Sequence, residues 1–165
     1  MDSAQGVLRV VVGEQLEYMW WARDRILSAA ARLSSADFVA PNTVTTRSLR
    51  STLAHQVECE WAWRIRLSEG SFPDGDVLAG DFMGVQALAE RWRHEEQAFR
   101  DWFDTLSDDD LRVPPPGADN PLSLWRYIVY VINHGTQQLS EAAVLLTRLG
   151  QSPGEIGFLA FCAMR

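Results

Sequence analysis

Apolar residues recur at intervals of three and four along most of this chain, in blocks separated by turn-forming residues. The first block runs from about Val7 to Leu33, with Leu8, Val12, Met19, Ala22, Ile26, Ala30 and Leu33 on one face. Ser34 to Thr45, which holds Pro41-Asn42, reads as a break. A second helix is expected from Ser48, a suitable N-cap, to about Ser68, ahead of Gly70 and Pro73. The Gly-, Pro- and Asp-containing stretch Glu69 to Gly80 reads as a loop. A third helix is expected from Phe82 to Leu106, with Val85, Leu88, Trp92, Phe99 and Trp102 in its stripe. Ser107-Asp108-Asp109-Asp110 ends it, and Pro114-Pro115-Pro116-Gly117 forbids continuation. Asn120-Pro121, a capping residue before a proline, is expected to open a fourth helix that continues through Leu124 to Leu149. The β-branched runs Val10 to Val12 and Val129 to Ile132 lie inside longer helical patterns, so no strand is expected. The pattern predicts an all-α four-helix bundle, a single domain over residues 1–165 without internal repeats.

The fourth helix carries the most informative irregularity. Tyr127, Val131, His134, Gln138, Ala142, Leu145 and Leu149 fall on one face, and two of them are polar. Polar groups inside a buried stripe are costly unless something satisfies them. On the second helix, Thr52, His55, Cys59 and Ala62 share a face made only of small or polar residues, suited to border a cavity and to bring His55 opposite His134. One reading is a structural histidine pair satisfied by backbone, serine or water. The other is a divalent-metal site at one end of the bundle, because zinc and nickel accept imidazole and catalytic sites commonly use three protein ligands and an open position. Residues four apart on a helix can chelate one ion together, which makes Gln138 the position for a third ligand, although an amide oxygen is a weak donor. Cys59, one turn beyond His55, is an alternative donor as thiolate, or else a small buried hydrophobe. Glu58 and Glu60 flank it as a candidate base or an acceptor for a ligand. His94, within Arg93-His94-Glu95-Glu96, lies off its stripe and is expected at the surface.

Several sharper signatures are missing. The residues three before the histidines are Thr52, Arg91 and Val131, which removes the Glu-x-x-His pattern of di-iron bundles. No His-Glu-x-x-His, Cys-x-x-Cys, Gly-x-Ser-x-Gly or phosphate-binding loop occurs either.

Charge narrows the partners. Fifteen Lys and Arg against 22 Asp and Glu give a net charge of −7, which opposes a nucleic-acid binder. The most basic segment, Arg91-Trp92-Arg93-His94, runs straight into Glu95-Glu96. Two cysteines, Cys59 and Cys162, cannot make a disulfide scaffold, which suits a reducing compartment. The opening MDSAQGVLRVVVGEQLE lacks a basic leader region, and no segment approaches the ~20 apolar residues of a membrane span, so a cytoplasmic location is expected. The seven tryptophans are expected to fill space in the bundle. After Pro153-Gly154 the tail becomes apolar, with Ile156, Phe158, Leu159, Phe161 and Met164. Such a tail either folds back over its own bundle or packs on a partner subunit, and a homodimer is expected.

Several of these blocks resemble the DinB/YfiT-like superfamily. Ser48-Leu-Arg-Ser-Thr-Leu-Ala-His55, with Glu58, Glu60 and Trp61, is similar to that family's second helix. Leu124-Trp125 through Ile132-Asn133-His134-Gly135-Thr136-Gln137-Gln138 is similar to its fourth, and Glu141 to Gly154 continues the likeness. Tyr18-Met-Trp-Trp21-Ala22-Arg-Asp24 resembles its first helix. The resemblance covers almost the whole chain and implies an up-up-down-down bundle, often dimeric. It also implies a divalent-metal site of three histidines, one from helix two and two from helix four. His55 and His134 match the first two, and the third falls on Gln138. Characterised relatives include transferases and isomerases that use low-molecular-weight thiols such as mycothiol or bacillithiol. Two functions are therefore expected to compete. One is a metal-dependent enzyme of the thiol-transferase kind. The other is a non-catalytic, dimeric stress-response or small-ligand-binding protein whose metal site has decayed.

Overall fold

A computed structural model describes residues 6–165; residues 1–5, part of the segment read for a leader, lie outside it. The described residues contain seven α-helices and no strand. Four are long: α1 (Val7–Ala30), α3 (Leu49–Glu69), α4 (Val85–Asp104) and α6 (Leu124–Arg148). Three are short: α2 (Ser35–Val39), α5 (Asp108–Arg112) and α7 (Phe158–Cys162). No helix among the described residues is long and apolar enough to cross a membrane.

Local chemistry sets the boundaries. Ser48 caps α3 as expected, its side chain accepting from the Ser51 amide at 3.2 Å. Gly70 closes α3 at φ 88°, a conformation that favours glycine. Elsewhere the boundaries move. The region read as a break after Ser34 contains α2, because the Ser34 hydroxyl accepts from the Asp37 amide and starts a new turn that buries Phe38. The acidic run at 107–110 ends one helix and opens another: Ser107 and Asp110 form a reciprocal capping box for α5. Asn120-Pro121, expected to open the last long helix, stays in the loop. The Leu124 amide donates to the Val113 carbonyl at 2.7 Å, which clips the loop and leaves Ser123 as N-cap.

The directions of the helices differ from the expected up-up-down-down order. Arg9 pairs with Asp104 and Arg23 with Glu96, so α1 and α4 run antiparallel. Glu60 meets Trp92 and Arg64 meets Glu95, so α3 and α4 run parallel. Trp63 stacks on Tyr127 while Thr52 bonds Glu141, so α3 and α6 run antiparallel. The order is up-down-down-up. It arises because residues 70–84 travel back along the bundle, bringing Phe82 beside Arg50 before α4 begins.

The buried stripe of α6 is also rotated from the expected one. Leu124, Ile128, Val131, Ile132, Gly135, Leu139, Ala142, Leu145 and Leu146 are buried, whereas Tyr127, His134 and Gln138 sit half-buried on its margin and Leu149 is exposed. His134 therefore lies at the seam between α6 and α3. The tail folds back over its own bundle: Phe158 packs edge-on against Tyr18 at 5.3 Å, and buried Phe161 lies against both Tyr18 and Trp21.

Candidate metal centre

Antiparallel packing of α3 and α6 places His55 and Cys59, one turn apart, opposite His134. The two imidazoles meet edge to face with centroids 5.2 Å apart. Cys59 Sγ lies 3.9 Å from His55 Nε2 and 3.8 Å from His134 Nε2. One ligand atom from each residue lies within 4.8 Å of the others, and all three residues are half-buried. A tetrahedral zinc ion holds nitrogen and thiolate donors about 3.6 Å apart, given bonds near 2.0 and 2.3 Å. Two imidazoles and a thiol at these separations fit such an ion with only small side-chain movement. The face of α3 expected to border a cavity is partly closed by α6, since buried Thr52 donates to Glu141 Oε1 at 3.0 Å.

Around the cluster the electrostatics are mixed. Burial pushes the Cys59 thiol up to about 11, helped by Glu58 and Glu60 and opposed by Arg47. At neutral pH it is a thiol, able to donate weakly to either imidazole. Burial holds His134 below the ordinary histidine range, and His55 and Arg47 push it the same way. Glu58 Oε2 approaches His55 Nδ1 at 3.5 Å. Gln138 is reached from the other side: its Oε1 accepts from the Arg47 guanidinium at 3.2 Å. His94 is exposed.

Behind His134 lies a layer of which the sequence pointed to Glu60, as a base or an acceptor behind a ligand, but not to Gln56. Gln56 Oε1 sits 2.8 Å from His134 Nδ1, and Gln56 Nε2 donates to Glu60 Oε1 at 2.9 Å. Glu60 also accepts from two indole N–H groups, Trp92 on Oε1 at 3.0 Å and Trp20 on Oε2 at 3.2 Å. Gln56 and Glu60 are completely buried. Burial raises the Glu60 carboxyl above its usual range, against the pull of Gln56, Arg23 and both indoles. One signal was available: glutamine and glutamate four apart, on a face shared with Leu53 and Val57. Beside the cluster, Tyr130 lies 6.4 Å from the His134 ring, and Trp63 and Phe72 extend the aromatic wall outward.

An all-α bundle with a two-histidine, one-cysteine cluster at the seam of its second and fourth long helices is what these observations define. The DinB family model matches residues 3–165, essentially the whole chain, and the protein belongs to the DinB family. A comparison with curated proteins gives no match.

Proposed function

We propose that this protein is a divalent-metal-binding member of its family, with His55 Nε2, Cys59 Sγ and His134 Nε2 as the ligands, and that it acts on low-molecular-weight thiols. The observation that carries the reading is the convergence of these three donor atoms from two helices. Gln138 was the expected third ligand, but its oxygen already accepts from Arg47. Cys59 offers the better donor for zinc and stands on α3, so two ligands would come from α3 and one from α6. A bound ion would supply Lewis acidity toward a thiol or a water. The chain's own residues do the rest: Glu58 steadies His55, Gln56 steadies His134, and Arg47 presents a positive charge at the rim. That charge suits a thiol carrying a carboxylate.

Calorimetric titration with zinc tests the centre. His134→Ala and Cys59→Ser should each lose more affinity than the roughly 10–100-fold typical of removing an outer-sphere partner, while Gln138→His should gain. Equal affinity in all four proteins would sink the metal reading and leave the alternative, a small-ligand-binding protein with a decayed site. For the substrate class, a mercaptocarboxylate should bind the zinc-loaded protein more tightly than a neutral thiol of similar size, and Arg47→Ala should erase the difference.

We also propose a homodimer. After the tail has folded back, Leu159 and Met164 still expose 82% and 66% of their surface. The reading is supported by this apolar pair on the tail, which its own bundle leaves uncovered.

A further inference from the structure

We propose that Glu60, acting through Gln56, is a positioning residue that fixes His134 as the Nδ1–H tautomer and so aims the Nε2 lone pair at the cluster. Its purpose rests on the metal centre proposed above; the tautomer itself is a property of the metal-free protein.

An indole N–H can only donate, and Glu60 receives one on each oxygen, from Trp92 and Trp20. Each oxygen engaged in this way faces its neighbours as an acceptor, and Oε1 is the one that Gln56 meets. The Gln56 amide must therefore turn its NH2 toward Glu60, at 2.9 Å. Flipping it would set two oxygens against each other at that distance in a fully buried place. Once the NH2 is committed, Gln56 Oε1 faces His134 Nδ1 at 2.8 Å. A carbonyl oxygen only accepts, so Nδ1 carries the proton. The remaining lone pair is on Nε2, the atom 3.8 Å from Cys59 Sγ. Metal-bound histidines commonly donate their other N–H to a carboxylate or carbonyl, which fixes the ring and raises its basicity. Here the carboxylate stands one residue further back, and an amide transmits its direction.

The packing shows that the relay has a built place. A Cβ on Gly135 would come within 2.9 Å of Gln56 Nε2 and 2.5 Å of Met19 Sδ, so the amide lies directly against the backbone of α6.

The test is long-range nitrogen-15 NMR of the imidazoles in the metal-free protein at about pH 8, above the ordinary histidine range. Wild type should show His134 protonated on Nδ1. Gln56→Met, similar in length but unable to hydrogen-bond, should lose that preference and weaken zinc binding by about 10–100-fold, while exposed Gln97→Met should change neither. A wild-type His134 protonated on Nε2 would overturn the proposal without any variant, and so would an unchanged tautomer in folded Gln56→Met. Unchanged zinc affinity in Gln56→Met, with His134→Ala still damaging, would overturn the positioning role. Failure of zinc to bind any of the proteins, with the expected wild-type spectrum, would instead refute the metal centre and leave the tautomer assignment standing.

Discussion

At position 135 a hydrogen atom stands where a side chain has no room. The missing Cβ lets α6 approach α1 and α3 closely there, and Met19 and Gln56 occupy the space a Cβ would take. Replacing this glycine with alanine should gain about 1 kcal/mol of helix propensity. It should also displace two buried side chains, at a cost of about 1–3 kcal/mol. We expect Gly135→Ala to lower the denaturant midpoint and to weaken zinc binding through Gln56; a stabilised variant with intact binding would contradict this. At the same scale, much of the candidate site was legible. His55 and His134 broke otherwise apolar or small-residue faces, and Cys59 stood one turn from the first. Gln56 was not legible, and Glu60, named as a candidate base or acceptor, was not expected to be buried. Glutamate on a helix is usually solvated, and this one is buried because Trp20, Trp92 and Gln56 donate to it and Arg23 lies near.

Between elements, the start of α1 is completed by a residue about a hundred positions away. Asp108, in the first turn of α5, accepts from the Leu8 and Arg9 amides at 3.2 and 2.7 Å. This supplies the cap that Gly6 has no side chain to provide. A larger residue at 6 would collide with the Asp108 carboxyl. The Arg9 amide, more than any other group, holds Asp108 below the usual carboxylate range. A depressed folded value means the contribution is complete above the ordinary aspartate pKa and is lost as pH falls through the folded one. Hydrogen exchange should therefore show the first turn of α1 protected near neutrality and fraying in acid, and Asp108→Ala should fray at both pH values. Protection unchanged in the variant would show that α1 needs no such cap. The start of α1 near Val7 was legible from the periodicity, but its cap was not, because a cap borrowed from a distant helix leaves no mark in the local pattern. The same reason explains Asn120-Pro121, whose favourable capping chemistry was overridden by the clip between Val113 and Leu124.

For the whole molecule, periodicity was enough to predict a bundle of four long helices, because each carries one buried stripe. It was not enough to predict their directions, since a stripe looks the same whichever way its helix runs. Direction is set by the return of residues 70–84 and by pairings such as Arg23 with Glu96, which no local window contains. The tail divides in the same way: Phe161 packs on its own bundle, while Leu159 faces outward. Phe161→Ala should therefore cost about 3 kcal/mol of stability, read in thermal or chemical unfolding. Leu159→Asp should leave stability almost unchanged but convert dimer to monomer in sedimentation. A monomeric wild type, or a dimer indifferent to Leu159→Asp, would count against the proposed assembly. The two indoles that donate to Glu60 have one more consequence. Trp20 and Trp92 are the fully buried members of the seven tryptophans, 3% and 0% exposed, so the blue edge of the protein's emission is expected to come from them. Both N–H groups end on the carboxyl that orients Gln56, and the chain therefore carries an intrinsic optical reporter, wired to its candidate site and readable without a label.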